Sequence, residues 1–262
     1  MDAVVAELID SLERGRTAVF AGAGISFHSG LPLVNGRQER ADGTVRYTGL
    51  VETVLERLTL LDEEIQTLTG SELPFEAFIE TLRAISDVRP IYDIFELGRP
   101  NTTHKMLAKW ISSGLVKLLC TTNFDRLLEQ ALLEGGWEES KEYEVIYREE
   151  EMASVPWADD HPRLIKIHGG VQDKDAMAIT LGQIAQKQLS EARFHIVEHL
   201  FETGDHDHVL ILGYSSSDVF DLTPQIQSLE GTSKRVLYLE HSTDESRVEP
   251  LAARTWKNPF RR

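Results

Sequence analysis

The chain has 262 residues, 41% hydrophobic and 27% charged, enough for one large globular domain. Its formal net charge of −16 argues against a surface built to grip nucleic-acid phosphates, and no run reaches the roughly 18 apolar residues of a membrane span. Cys120 is the single cysteine, so an internal disulfide is excluded and a reducing, cytoplasmic compartment is expected. The acidic opening MDAVVAELIDSLERG lacks the basic region of a signal peptide.

In chain order, apolar residues at Val4, Val5, Leu8, Ile9 and Leu12 predict a helix over 3–14, stopped by Gly15. Thr17 to Phe20 reads as a short strand entering Ala21-Gly22-Ala23-Gly24-Ile25-Ser26. Helical patterns follow at 49–67 and 74–86, separated by TGSELP. His104 to Ser112 reads as a helix capped by Asn101 or Thr102, and Leu115 to Cys120 as a buried strand. A helix from Arg126 to Leu133, strands at Tyr143 to Tyr147 and Leu164 to Ile167, and a long helix over 182–202 come next. Strands His208 to Leu212 and Arg235 to Leu239 complete the pattern.

Strand, small-residue turn and helix recur. Parallel strands need helical crossovers, so this predicts an α/β fold, a Rossmann-like doubly wound parallel sheet. The expected organisation is a single domain over 1–262. Its core is 16–36 and 101–245, and 37–100 is an inserted lobe with helices but no clear strand. Ligands bind such sheets at the carboxyl ends of strands, where the unusual polar motifs fall.

Gly22-Ala23-Gly24-Ile25-Ser26 can turn tightly and bring backbone N–H groups to a pyrophosphate; a βα turn without a ligand is the alternative. Its spacing departs from G-x-G-x-x-G, because Phe27 stands at the third glycine position. In Thr121-Thr122-Asn123-Phe124-Asp125, Asn123 can hold a water or a ribose hydroxyl and Asp125 a carboxamide; helix capping competes with that reading. His168, followed by Gly169 and Gly170, can project into a cleft as a general base, or lie half-buried against a carbonyl. Gly213-Tyr214-Ser215-Ser216-Ser217-Asp218 offers close approach and hydroxyls for ribose or phosphate, or simply a capped helix start.

In combination, GAGISFHSGLP, TTNFD, HG and GYSSSD resemble the sirtuin (SIR2) family from about Ala18 to His241. The resemblance implies an NAD-binding fold in which Gly22, Ala23, Gly24, Ser26, Thr122, Asp125, Gly213, Tyr214 and Ser215 bind NAD. It places Glu240 and His241, after the last strand, at the adenosine. It implies Asn123 and His168 as catalytic residues. The family's deacylases carry Asp-Phe-Arg after GLP, where Leu33, Val34 and Asn35 stand here, and Arg37 is out of register. They also carry a four-cysteine zinc ribbon, which one cysteine cannot build, so no metal is expected.

The pattern resembles the SIR2-like effectors of prokaryotic anti-phage defence, which hydrolyse NAD to nicotinamide and ADP-ribose. The implied mechanism has Asn123 place a water beneath C1′ of the ribose, Asp125 hold the carboxamide, and His168 act as base. Deacylation, ADP-ribosyl transfer and non-catalytic sensing of NAD or ADP-ribose are the alternatives. The implied partners are further copies of the chain, or a sensor, ATPase or Argonaute-like subunit or fused domain. No direct contact with nucleic acid or membrane is expected. A rival motif, His195-Ile196-Val197-Glu198-His199, matches an inverted zinc-protease signature; an exposed, partly charged helix face is the favoured reading.

Overall fold

The computed structural model describes residues 3–32, 37–39, 45–47, 49–51, 75–85, 87–188, 190–214, 222, 225–226 and 234–239. Its elements are α1 (Ala3–Glu13), β1 (Thr17–Ala21), β2 (Arg37–Glu39), β3 (Val45–Tyr47), α2 (Phe75–Ile85) and α3 (Arg89–Tyr92). After these come α4 (Thr102–Ser112), β4 (Leu118–Thr121), α5 (Leu127–Glu134), β5 (Glu144–Ile146) and α6 (Glu149–Met152). The chain continues with β6 (Arg163–Lys166), α7 (Leu181–Gln188), α8 (Glu191–Glu198), β7 (His208–Leu212) and β8 (Arg235–Leu239). A 3₁₀ turn over Ala23–Ser26 follows β1, and a π-helical turn over His199–Thr203 extends α8.

Among the described residues, six strands form one parallel sheet in the order β5-β6-β4-β1-β7-β8. Successive side chains of a strand face opposite ways, and both faces here are apolar. Ala18, Phe20, Cys120, Ile165, Val209 and Ile211 face one layer, covered by Ile196 and Val197 of α8 and by Leu200 and Phe201. Val19, Ala21, Leu119, Leu164, Leu210 and Leu212 face the other, covered by α1, α4 and α5 through Leu12, Leu107, Ile111, Leu128 and Leu132. The sheet is therefore doubly wound and Rossmann-like. β1 lies between β4 and β7, so the chain builds outward on one side and then crosses to the other. Such a reversal opens a crevice at the carboxyl ends of the strands.

Three sequence expectations shift. The strand expected from Leu115 begins at Leu118, because the backbone N–H groups of Leu115 and Val116 return to the Trp110 carbonyl and close the end of α4. The helix expected over 182–202 is broken, and Ser190 caps α8 by accepting from the Arg193 N–H. Over 37–100, helices were expected without strands, yet β2 and β3 pair antiparallel with Arg37 opposite Tyr47. Strands of three residues are too short to reveal a period of two. Most of the helix expected at 49–67 lies outside the described residues. Phe78, Ile79, Leu82, Val88 and Tyr92 form a third hydrophobic cluster with Met177 and Ile179 from the segment after β6.

Candidate functional site

Four adjacent strands end side by side. Ala21 is registered with Thr121 and with Leu212, and Thr121 with Lys166. The parallel register carries the glycine turn, the TTNFD loop, His168 and Gly213 to one edge of the sheet. Asn123 and His168 stand at equivalent positions, each two residues past the registered pair Thr121–Lys166.

The glycines are required by backbone contact. A Cβ on Gly22 would lie 2.7 Å from the Gly213 carbonyl oxygen, and one on Gly24 would lie 2.8 Å from the Gly213 Cα. The Gly22 N–H donates to the Leu212 carbonyl at 2.9 Å and the Gly24 N–H to the Gly213 carbonyl at 2.8 Å. Those two N–H groups tie the glycine turn to the last residue of β7 and to the residue after it. Ala23, Gly24 and Gly213 are nevertheless exposed and form the open rim of this edge.

Below the rim lies a buried polar network. The Ser26 hydroxyl accepts from Asn123 Nδ2 at 3.1 Å, donates to Asp125 Oδ2 at 3.0 Å, and lies 3.3 Å from His104 Nε2. Asn101 caps α4, its Oδ1 accepting from the Thr103 and His104 N–H groups. Its Nδ2 donates to the Ile25 carbonyl at 2.8 Å and the Phe27 carbonyl at 2.7 Å, tying α4 to the glycine turn. Asp125 Oδ1 accepts from the Leu127 N–H at 3.0 Å, so one carboxylate ties the first residue of α5 to Ser26. Asn123 Oδ1 is buried and, among the described residues, lacks a hydrogen-bond partner.

Burial shapes the electrostatics here. It pushes the His104 imidazole down to about 4, with Glu129 pulling weakly the other way. Burial likewise raises the Asp125 carboxyl, opposed by the Lys166 ammonium and by the Leu127 N–H, Ser26 and Asn123. Lys166 donates to the Asp125 and Phe124 carbonyls and pairs with Glu129 Oε1 at 2.7 Å, which also accepts from Gln172 Nε2 at 2.8 Å. This buried ion pair is the floor on which the TTNFD loop rests.

His168 is half-buried. Its ring meets the loop through Phe124, with centroids 6.2 Å apart, and Phe124 in turn meets Phe95 at 5.3 Å. Gly169 has φ +87°, and a Cβ there would lie 2.3 Å from the Ala176 carbonyl oxygen. Only glycine lets the chain fold back so that the Ala178 N–H reaches the His168 carbonyl at 2.7 Å.

A family model described as the SIR2-like domain matches residues 117–259. The chain belongs to the SIR2-like family. A comparison with the curated proteins finds no match. Among solved structures, this SIR2-like chain is similar to one described as the structural basis for the mechanism and regulation of Sir2 enzymes. That similarity has 16% identity and a TM-score of 0.45, covering 94% of this chain and 89% of that one. A crystal structure of a Sir2 homologue–NAD complex is similar at 13% identity and TM-score 0.41, over 90% of this chain and 82% of that one. Sir2 bound to acetylated peptide gives 17% and 0.42, over 92% and 89%.

The SIR2-like site brings Ser26, Asn123 and Asp125 into direct contact, with half-buried Thr122 beside them, its N–H on the Ala21 carbonyl at 3.1 Å. The Tyr214 ring is buried, edge-on to Phe20 at 4.9 Å. Ser215, Ser216, Ser217, Asp218, Glu240, His241 and Leu33 to Gly36 lie outside the described residues, and the Arg37 side chain is not described. The His195/His199 pair does not converge. Exposed His195 pairs with Glu198 at 3.3 Å, while His199 stacks on Trp157 at 3.6 Å. Among the described residues, no group of three or more His, Cys, Asp or Glu is placed to hold a metal ion.

Sequence reasoning missed Asn101, His104, Phe124, Lys166 and Glu129 as site builders. One signal was present: Lys166 interrupts the otherwise apolar run Leu164–Ile167, and a lysine there needs a buried partner.

Proposed function

We propose that the chain cleaves the nicotinamide–ribose bond of NAD, releasing nicotinamide and ADP-ribose. Membership of the SIR2-like family supports the use of NAD. The observation that carries the reading is the buried Asn123 amide. Its nitrogen is held by Ser26, and its oxygen has no partner among the described residues, at the strand edge that also bears His168.

Cleavage develops positive charge at C1′ while nicotinamide departs as a neutral base, so strong acid catalysis is unnecessary. The protein's task is to hold the dinucleotide and deliver a water. Asn123 Oδ1 orients that water by accepting a hydrogen bond from it. His168 takes a proton from the water or from a ribose hydroxyl, a contribution typically worth about 10²–10⁴-fold. The half-buried setting beside Phe124 limits competing solvent. Asp125, whose two oxygens accept from the Leu127 N–H and from Ser26, holds the carboxamide with its remaining lone pairs.

Hydrolysis is favoured over deacylation because one cysteine cannot form the four-cysteine ribbon that helps line an acyl-lysine cleft. A defence effector, working in the cytoplasm as a homo-oligomer or with a sensing partner, is the biological role most consistent with that lack. The chain at 1–262 is read as one SIR2-like domain with an insertion at 37–100.

The test is chromatography of products after incubation with NAD, alone and with an acylated peptide. Free ADP-ribose supports hydrolysis, acyl-ADP-ribose supports deacylation, and modified protein supports transfer. Asn123→Ala and His168→Ala are each expected to lower kcat far more than they raise KM. Full turnover in both variants would remove the assignment.

A further inference from the structure

Around the Ser26 hydroxyl, three neighbours compete for one proton and two lone pairs. Asn123 Nδ2 can only donate, so it takes one lone pair. Asp125 Oδ2 and His104 Nε2 share the rest, and they can do so in two ways.

In the first, Asp125 is ionised, the Ser26 O–H donates to it, and His104 donates Nε2–H to Ser26. His104 Nδ1 then accepts from the Asn101 backbone N–H at 3.3 Å. In the second, Asp125 carries a proton and donates to Ser26, and the Ser26 O–H turns to Nε2. Nδ1–H then donates to Asn101 Oδ1 at 2.9 Å. Asn101 cannot be flipped to avoid the choice. Its Oδ1 already accepts from two backbone N–H groups, and its Nδ2 donates to two carbonyls.

The two states differ by one proton. It binds at His104 Nδ1, the Nε2 proton passes to Ser26 Oγ, and the Ser26 proton passes to Asp125 Oδ2. The bond from Asn123 Nδ2 to Ser26 survives in both.

We infer that His104 is a positioning residue for this site, acting through Ser26 to keep the Asn123 amide in one orientation whichever charge Asp125 carries. The imidazole is fully buried and reaches the reacting groups only through the hydroxyl. A leucine at this position leaves the hydroxyl one partner short, free to turn its proton away from Asp125. A neutral imidazole that can donate or accept at Nε2 satisfies the hydroxyl in either state, which a lysine or an aliphatic side chain cannot. The charged groups facing the network are the Lys166 ammonium against Asp125 and the Glu129 carboxylate near His104. These two neutralise each other across 2.7 Å, leaving the Asp125 proton as the variable charge.

The kinetic consequence rests on the proposed NAD cleavage; the tautomer consequence does not. In the ligand-free protein, ¹⁵N NMR of the His104 ring is expected to show the Nε2–H tautomer at a pH high enough to ionise Asp125. In Asp125→Asn, whose amide donates as the protonated carboxyl would, it is expected to show Nδ1–H. The same tautomer in both proteins would overturn the inference even with turnover intact. In kinetics, His104→Leu is expected to lower kcat roughly tenfold to a hundredfold, as for a displaced reacting group, with KM nearly unchanged. His104→Gln, which keeps a donor or acceptor near Nε2, is expected to restore most of it. Equal losses in both variants, or none in either, would overturn it. If wild-type protein leaves NAD intact, the proposed function fails and the tautomer measurement still decides this inference.

Discussion

Lys166 and Glu129 form an ion pair of 2.7 Å in which the side chains are 1% and 4% exposed. Burying two charges is costly, and the cost is offset here by the additional bonds from Lys166 to the Phe124 and Asp125 carbonyls. Lys166→Met should destabilise the fold by about 3–5 kcal/mol, because Glu129 is left as an uncompensated buried charge. Adding Glu129→Leu should recover a large part of that loss. Urea unfolding of the single and double variants measures both, and a single variant within 1 kcal/mol of wild type, on the scale of about 1 kcal/mol for an ordinary surface pair, would refute the account.

Gly213 predicts a different kind of damage. Its φ is +62°, and a Cβ would stand 2.5 Å from the Ile25 N. Gly213→Ala should cost roughly 1–2 kcal/mol from backbone handedness alone, with more from the clash. The thermal midpoint should drop by at least about 2–4 °C per kcal/mol for a chain of this size. Gly114→Ala tests the separation of the two costs. Gly114 has φ +74° and open space around it, so it should show only the smaller loss.

Acid should weaken the fold above the usual carboxylate range. Burial holds His104, His199 and His206 down at about 4, against an ordinary 6.5. Between those values the unfolded chain binds the protons and the folded chain does not. Stability is therefore complete above about 6.5 and falls as pH drops toward 4, with a slope of up to about 1.4 kcal/mol per pH unit for each histidine. Asp125, raised by burial, acts in the opposite sense, since its folded form takes up a proton first as pH falls. Urea midpoints measured from pH 7.5 to pH 4.5 should decline for wild type and less steeply for His206→Gln.

The His195-x-x-Glu198-His199 motif should prove inert toward zinc. His199 is stacked on Trp157 with the rings 14° from parallel, and His195 stands apart at the surface with Glu198. His195→Ala should leave NAD turnover unchanged and alter stability by less than about 0.5 kcal/mol. Elemental analysis of protein purified without a His tag should find no stoichiometric zinc; one equivalent lost in His195→Ala would reverse the reading.

Strands β1, β6, β7 and β8 were legible because each is a short apolar run between breakers, and a parallel sheet buried on both faces demands that pattern. The motif-bearing loops after β1, β4 and β6 were legible for the same reason, since each follows such a run. The break at Ser190 was not. Helical spacing continues through it, and the capping hydroxyl is recognisable only once Arg193 N–H points at it. Nor was the destination of Gly22 and Gly24. A glycine in sequence reports permission for close approach, and which backbone approaches is decided by the neighbour β7 supplies.

Taken alone, the order of residues determined the kind of fold and the four strand ends where chemistry could gather, because burial and chain turning act over a few residues. Only the folded chain decided that Asn101 and His104, from a helix read merely as scaffold, would meet Ser26 and through it Asn123 and Asp125. Hydrogen bonds between groups 97 and 99 residues apart depend on register across the sheet. No local pattern encodes that register; the packing of both faces sets it.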